Sequence, residues 1–168
     1  MAAIESNKQI EWRRVSEAFP KATLFGNHGV VPADLKQGYI GNCWFISALA
    51  ALAEFPDRIE RLFLNVKNEH STSGLYGVNF YTLGHEHTIL IDDFIPVINE
   101  GEAGYTTLYA GLGDDMAMWA PLIEKAFAKR FGNYEHIVGG LPSEAFKTLT
   151  GSPSIMYEHK DVNAETLW

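Results

Sequence analysis

Apolar residues in this chain come in blocks separated by glycine and proline. The longest block, Cys43 to Phe55, has neither proline nor glycine until Pro56 and is rich in alanine and leucine, which predicts a buried helix opening at Cys43. Pro56 to Phe63 places proline at a first helical position ahead of apolar spacing and predicts a second, shorter helix. Upstream, residues 1–8 are mostly polar and expected to fray, and Ile10 to Phe19 predicts a helix ended by Pro20. Leu24 to Gly41, with four glycines and Pro32, reads as an ordered loop. Leu75 to Leu83 and His87 to Ile95 are rich in β-branched and aromatic residues around Gly84-His85-Glu86, the pattern of an antiparallel hairpin. Asp92-Asp93 at its end reads as a turn cap. Gly101 to Gly113 is loop-like, Asp114 to Arg130 predicts a helix ended by Gly132, and Ser143 to Leu149 a short helix ended by Gly151. The expected class is helix-dominated α+β with a small antiparallel hairpin.

Composition narrows the partners. A chain of 168 residues with 46 % hydrophobic content is long enough to bury one core. The formal net charge of −8 and the lack of any basic run longer than a pair such as Arg13-Arg14 argue against nucleic acid and against a polybasic membrane patch. No apolar stretch approaches the roughly 20 residues of a membrane span, and Met-Ala-Ala-Ile-Glu-Ser-Asn is not a signal peptide. A single cysteine makes no internal disulfide, which fits a reducing, intracellular setting.

That cysteine carries the candidate chemistry. It opens an apolar helix behind a glycine-punctuated loop, where unpaired N–H groups and the positive end of the helix dipole favour an anion. A thiol attacking a carbonyl also needs donors aimed at the oxyanion that forms. Gln37, six residues upstream, offers a neutral amide, and the Cys43 backbone N–H offers a second donor. The ordinary fate of a free cysteine is that of a small buried apolar residue. Gln37, Gly38, Gly41 and Trp44 around Cys43 favour the nucleophile instead.

Gln37-Gly-x-x-Gly-Asn-Cys43-Trp44-Phe45 resembles the cysteine motif of the calpain family of papain-like proteases. Trp119-Ala-Pro-Leu-Ile-Glu124-Lys125-Ala-Phe-Ala-Lys129 is similar to a second calpain signature. A third runs from Asn133-Tyr134-Glu135 through Gly139-Gly140 to Ser143-Glu144-Ala-Phe146 and Thr150-Gly151. Together they cover roughly Asp34 to Gly151, in the family's order. The resemblance implies a papain-like fold, with 1–23 as an N-terminal segment and 24–168 as the helix-rich, cysteine-bearing first half of the protease core. It implies cysteine-type endopeptidase activity on extended segments of protein substrates, with Cys43 as nucleophile and Gln37 in the oxyanion hole. Gly139 and Gly140 would bind substrate, the second glycine exposing its backbone to an extended peptide. Trp44 and Phe45 read as core packing, and Glu124 and Lys125 as salt-bridging structure.

The family's general-base histidine and orienting asparagine belong to the second half of the core, far downstream of the cysteine. Of His28, His70, His85, His87, His136 and His159, none has the expected context, so the expected partner is that second half and these residues alone are expected to be inert. The resemblance also implies calcium, with Asp34 as the aspartate ligand. The family's glutamate ligand is Ala117 here, and Asp114 or Asp115 is the available substitute. Other readings are a non-catalytic calpain-like regulatory or partner-binding module, acyl transfer to an amine on a related fold, and a redox cysteine, which the lack of a resolving cysteine disfavours.

Overall fold

The structure is a computed structural model and describes residues 9–64 and 67–157. The segment expected as a helix from Ile10 is instead a strand, β1 (Gln9–Arg14), followed by a single turn, α1 (Val15–Ala18). Ile10 and Trp12 suit an extended backbone, but the deciding influence is non-local. β4 (Phe94–Asn99) runs antiparallel beside β1, Gln9 opposite Asn99 and Arg14 opposite Phe94, and it supplies the hydrogen-bond partners that a helix would have found locally. Arg14 then bonds Asp93 at 2.7 Å and lies over the Phe94 ring.

Helix α2 (Cys43–Ala53) begins where the sequence places it and buries Phe45, Ile46, Ala48, Leu49, Leu52 and Ala53. Pro56 stops it and starts α3 (Pro56–Glu60), with the proline ring in the first turn, where a missing N–H costs nothing. The hairpin is β2 (Leu75–Thr82) against β3 (His85–Asp92), joined by Leu83-Gly84. Both turn residues have positive φ, 50° and 81°, as a tight two-residue turn requires, so the turn is shorter than the three residues expected. At the far end the Phe94 N–H donates to Asp92 Oδ1, the expected cap. β4 then leaves the hairpin to lie between β1 and β5 (Tyr105–Thr107), a strand inside the segment read as loop.

Helix α4 (Trp119–Arg130) starts five residues later than expected. Met116 and Met118 exchange main-chain bonds with Thr23, whose N–H donates to Met116 O while its carbonyl accepts from Met118 N–H, and this holds 116–118 out of the helix. Nearly all of α4 is buried. Phe127 is its centre: it stacks on Phe45 of α2 at 3.8 Å and meets Phe80 of β2 and Trp44 edge-on. α5 (Pro142–Thr150) closes the described chain, with Gly151 as a left-handed cap. The described fold is mixed helix and strand, helix being the larger share, with small antiparallel sheets.

Candidate active site

Cys43 is exposed at the first position of α2. Its predecessor Asn42 is fully buried, and the Asn42 carbonyl accepts from the N–H groups of Phe45 and Ile46. Toward the helix start, the main-chain N–H groups of Trp44 and of Cys43 itself have no acceptor among the described residues. They are among the orphan donors every helix N-terminus leaves.

Gln37 is exposed, and its Nε2 donates one hydrogen to Ile40 O at 3.0 Å. An amide nitrogen has two donor hydrogens, so the second remains for another acceptor. The loop that carries Gln37 lies against 108–111. Tyr39 N–H donates to Leu108 O at 3.0 Å, and Gly111 N–H donates to Lys36 O at 2.8 Å. Gly38 has to be glycine here, since a Cβ on it would lie 2.0 Å from Tyr109 O.

A third segment leans on the same corner. Gly139 N–H donates to Gly41 O at 2.9 Å, and Trp44 Nε1 donates to Ile137 O at 3.0 Å. A Cβ on Gly140 would lie 2.5 Å from the Trp44 ring, so close packing on the indole accounts for that glycine. Gly140 makes no main-chain hydrogen bond among the described residues. Phe45 is core, as expected, and Trp44 joins the core to the Gly139-Gly140 loop.

Glu124 departs from the sequence reading. It makes no salt bridge among the described residues and is 1 % exposed on the inner face of α4. Asn42 Nδ2 donates to its Oε1 at 2.6 Å and Ala110 N–H to its Oε2 at 2.9 Å. Burial pushes its carboxyl up to about 7, against the opposing pull of those two donors. Its helical offset already placed it among Ala120, Ile123 and Phe127, a position that is polar only for a reason. Lys125 does pair as expected, with Asp92.

The family model for calpain family cysteine proteases matches residues 2–168. This chain belongs to that family. It is 31 % identical over 153 residues to a calpain of Schistosoma mansoni, covering 90 % of this chain and 20 % of that one. Calpain-5 of Caenorhabditis elegans is 33 % identical over 153 residues, 86 % of this chain and 22 % of the relative. Mouse calpain-10 is 32 % identical over 158 residues, 92 % and 23 %. The chain thus spans about a fifth of the length of these curated relatives.

Among the described residues of this calpain-family chain, no histidine hydrogen-bonds Cys43. His28 sits 3.3 Å from Asp115, and His136 Nδ1 is 2.7 Å from Phe131 O. His85 and His87 lie on β3, and both ring nitrogens of His70 are buried without a partner among the described residues. His159 and residues 1–8 lie outside the described residues. No helix among the described residues is long and apolar enough to cross a membrane.

The residues present do not fit a calcium cage. Asp34 is buried, and its Oδ2 accepts from Trp119 Nε1 at 2.9 Å and Val31 N–H at 3.2 Å. Asp115 Oδ2 accepts from the N–H groups of Asn27 and His28, at 2.6 and 2.9 Å. Burial would raise the Asp115 carboxyl, and those donors hold it below the usual carboxylate range. The carbonyl of Gly26 is taken by Asn68 Nδ2 at 2.6 Å. The 25–28 loop therefore turns N–H groups toward a carboxylate, the reverse of a cation site. Asp115 Oδ1 is buried without a partner among the described residues, one oxygen where calcium takes six to eight. Among the described residues, no three His, Cys, Asp or Glu side chains group as metal ligands.

Proposed function

We propose that this chain supplies the nucleophile and the oxyanion donors of a calpain-type cysteine endopeptidase with a papain-like fold. The reading is supported by an exposed thiol at a helix start whose own N–H is unused and, six residues upstream, by a Gln37 amide anchored to Ile40 with a second hydrogen to spare. The Cys43 sulfur attacks the substrate peptide carbonyl and forms a C–S bond while the carbonyl electrons move to oxygen. Those two donors then hold the oxyanion. Collapse breaks the C–N bond and leaves an acyl-enzyme, which water hydrolyses to regenerate the thiol.

Proton transfer to the leaving amine and from the water requires a general base. In this reading it is a histidine, oriented by an asparagine, on the second half of the protease core. The unpaired main chain of Gly140 beside Trp44 supports pairing with an extended peptide, with Gly139 fixing the loop to Gly41. Calcium has no step in this mechanism.

The test joins this chain to a segment carrying the histidine and asparagine. Peptide hydrolysis should appear in the joined core, vanish in Cys43→Ala, and be absent from these 168 residues alone, while Cys43→Ala melts like the native chain. An active Cys43→Ala core would overturn the reading. A folded joined core that never hydrolyses peptide would favour the partner-binding module.

A further inference from the structure

Two of the three segments that converge on the nucleophile meet at one buried side chain. Asn42 precedes Cys43 and closes the first turn of α2 through its carbonyl. Ala110 lies in the 108–111 segment that seats Gln37 through the Tyr39–Leu108 and Gly111–Lys36 main-chain bonds. Glu124 accepts from both, one oxygen to each.

We propose that Glu124 is a positioning residue for the calpain-type site: by bridging Asn42 to Ala110 it sets the placement of the Cys43 thiol relative to the Gln37 amide, and its ionisation state switches that placement. The proposal rests on the reading of Cys43 and Gln37 given above, but its test needs no substrate and no second half.

The bridge has two forms. As an anion, Glu124 offers only acceptors, and Asn42 Nδ2 and Ala110 N–H satisfy both oxygens. As an acid it carries an O–H that must donate, from a side chain only 1 % exposed. The acceptor at hand is Asn42 Oδ1, which is buried and has no partner among the described residues. Reversing the Asn42 amide brings Oδ1 to the carboxyl, so proton uptake and amide reversal occur together. Asn42 is the residue that fixes the start of α2, and the strain of that reversal falls on the Cys43 turn.

The surroundings leave the switch to Glu124 alone. The titratable groups facing it are Tyr109, from the 108–111 segment, and Tyr134, from the turn after α4. Burial first, and the Glu124 charge next, raise both phenols above their usual range, so both stay neutral where Glu124 titrates. β4 contributes Ile95 and Pro96, and α4 itself Pro121. No lysine, arginine or histidine pairs with Glu124 among the described residues.

The experiment uses the full chain. In a Cys43→Ser chain, where no thiol titrates, amide NMR from pH 5.5 to 8.5 should show the Asn42 side-chain pair and the residue 43 and 44 main-chain amides moving together, with one midpoint near the value of about 7 given by burial. In the native chain the iodoacetamide rate reports Cys43 alone, since it is the only cysteine. Its pH profile should need two ionisations, and that of E124Q, which cannot titrate, should need one. A merely structural Glu124 would lower stability in E124Q and leave the profile shape unchanged, and that result overturns the proposal. If E124Q fails to fold, the Cys43→Ser titration decides: an Asn42 amide static across that range overturns it equally.

Discussion

Gly38→Ala isolates the contact that seats Gln37. Its φ is not in the left-handed region, so alanine adds no backbone strain and the substitution tests space alone. The new Cβ would lie 2.0 Å from Tyr109 O and 2.6 Å from Leu108 O, where real Cβ atoms stay beyond 3.0 Å, so the loop must back away by about 1 Å. That displacement breaks or stretches the Tyr39–Leu108 and Gly111–Lys36 bonds. At about 0.5–1.5 kcal/mol net for each bond, the cost is roughly 1–3 kcal/mol. For a domain of this size each kcal/mol moves Tm by about 2–4 °C, so the expected drop is roughly 2–12 °C. Gln37 moves with its neighbour, and a site tolerates only about 0.5 Å of misplacement. Losing one oxyanion donor lowers kcat by roughly 10²–10³. Circular dichroism melting, iodoacetamide labelling of Cys43 and peptide hydrolysis by the joined core should then separate: Tm and hydrolysis fall, and labelling holds because α2 is untouched. An unchanged Tm with undiminished hydrolysis would show that the 108–111 contact does not place Gln37.

Phe127→Ala removes the ring shared by Phe45, Phe80 and Trp44 and should cost about 3–5 kcal/mol in urea denaturation; a loss below about 1 kcal/mol would contradict its central place. Glu124 sets a pH dependence of stability. The folded chain keeps its proton to about 7 while the unfolded value is 4.5, so its contribution is fully present below about 4.5 and is lost as pH rises to about 7. The loss is up to about 3 kcal/mol, and urea midpoints between pH 4.5 and 7.5 should decline in the native chain and stay flatter in E124Q. Millimolar calcium should leave Tm within about 1 °C of its metal-free value, because linkage raises stability only where a folded site binds; a rise of several degrees would show that the 25–28 loop accepts the ion after all.

Much of the candidate site's local structure was legible because it is set by residues close in sequence. Cys43 opens a helix that its own composition predicts, and Gln37 is fixed to it by a short glycine-spaced loop. The N-terminal strand was not legible, since Ile10 to Phe19 fits a helix until β4 offers its backbone. Pro96 concealed β4 in turn: proline argues against a strand paired on both sides, yet the short β5 reaches only Val97 to Asn99, and the Pro96 carbonyl still accepts from Leu108 N–H. Glu124 read as salt-bridging structure because charged residues on a helix are usually solvated and paired. Its position on the Phe127 face was the signal, and only the placement of Asn42 and Ala110 gave it meaning.

Trp44 gives the Gly139-Gly140 loop its shape before anything meets it. The indole meets Phe45 and Phe127 edge-on, donates to Ile137 O and packs against Gly140. The conformational freedom of that loop is therefore given up once, when the chain folds, and would not be given up again for a ligand laid on it. In the proposed reading, a peptide strand would meet a rail already ordered, and the free energy of its contacts would not be drained by having to freeze one.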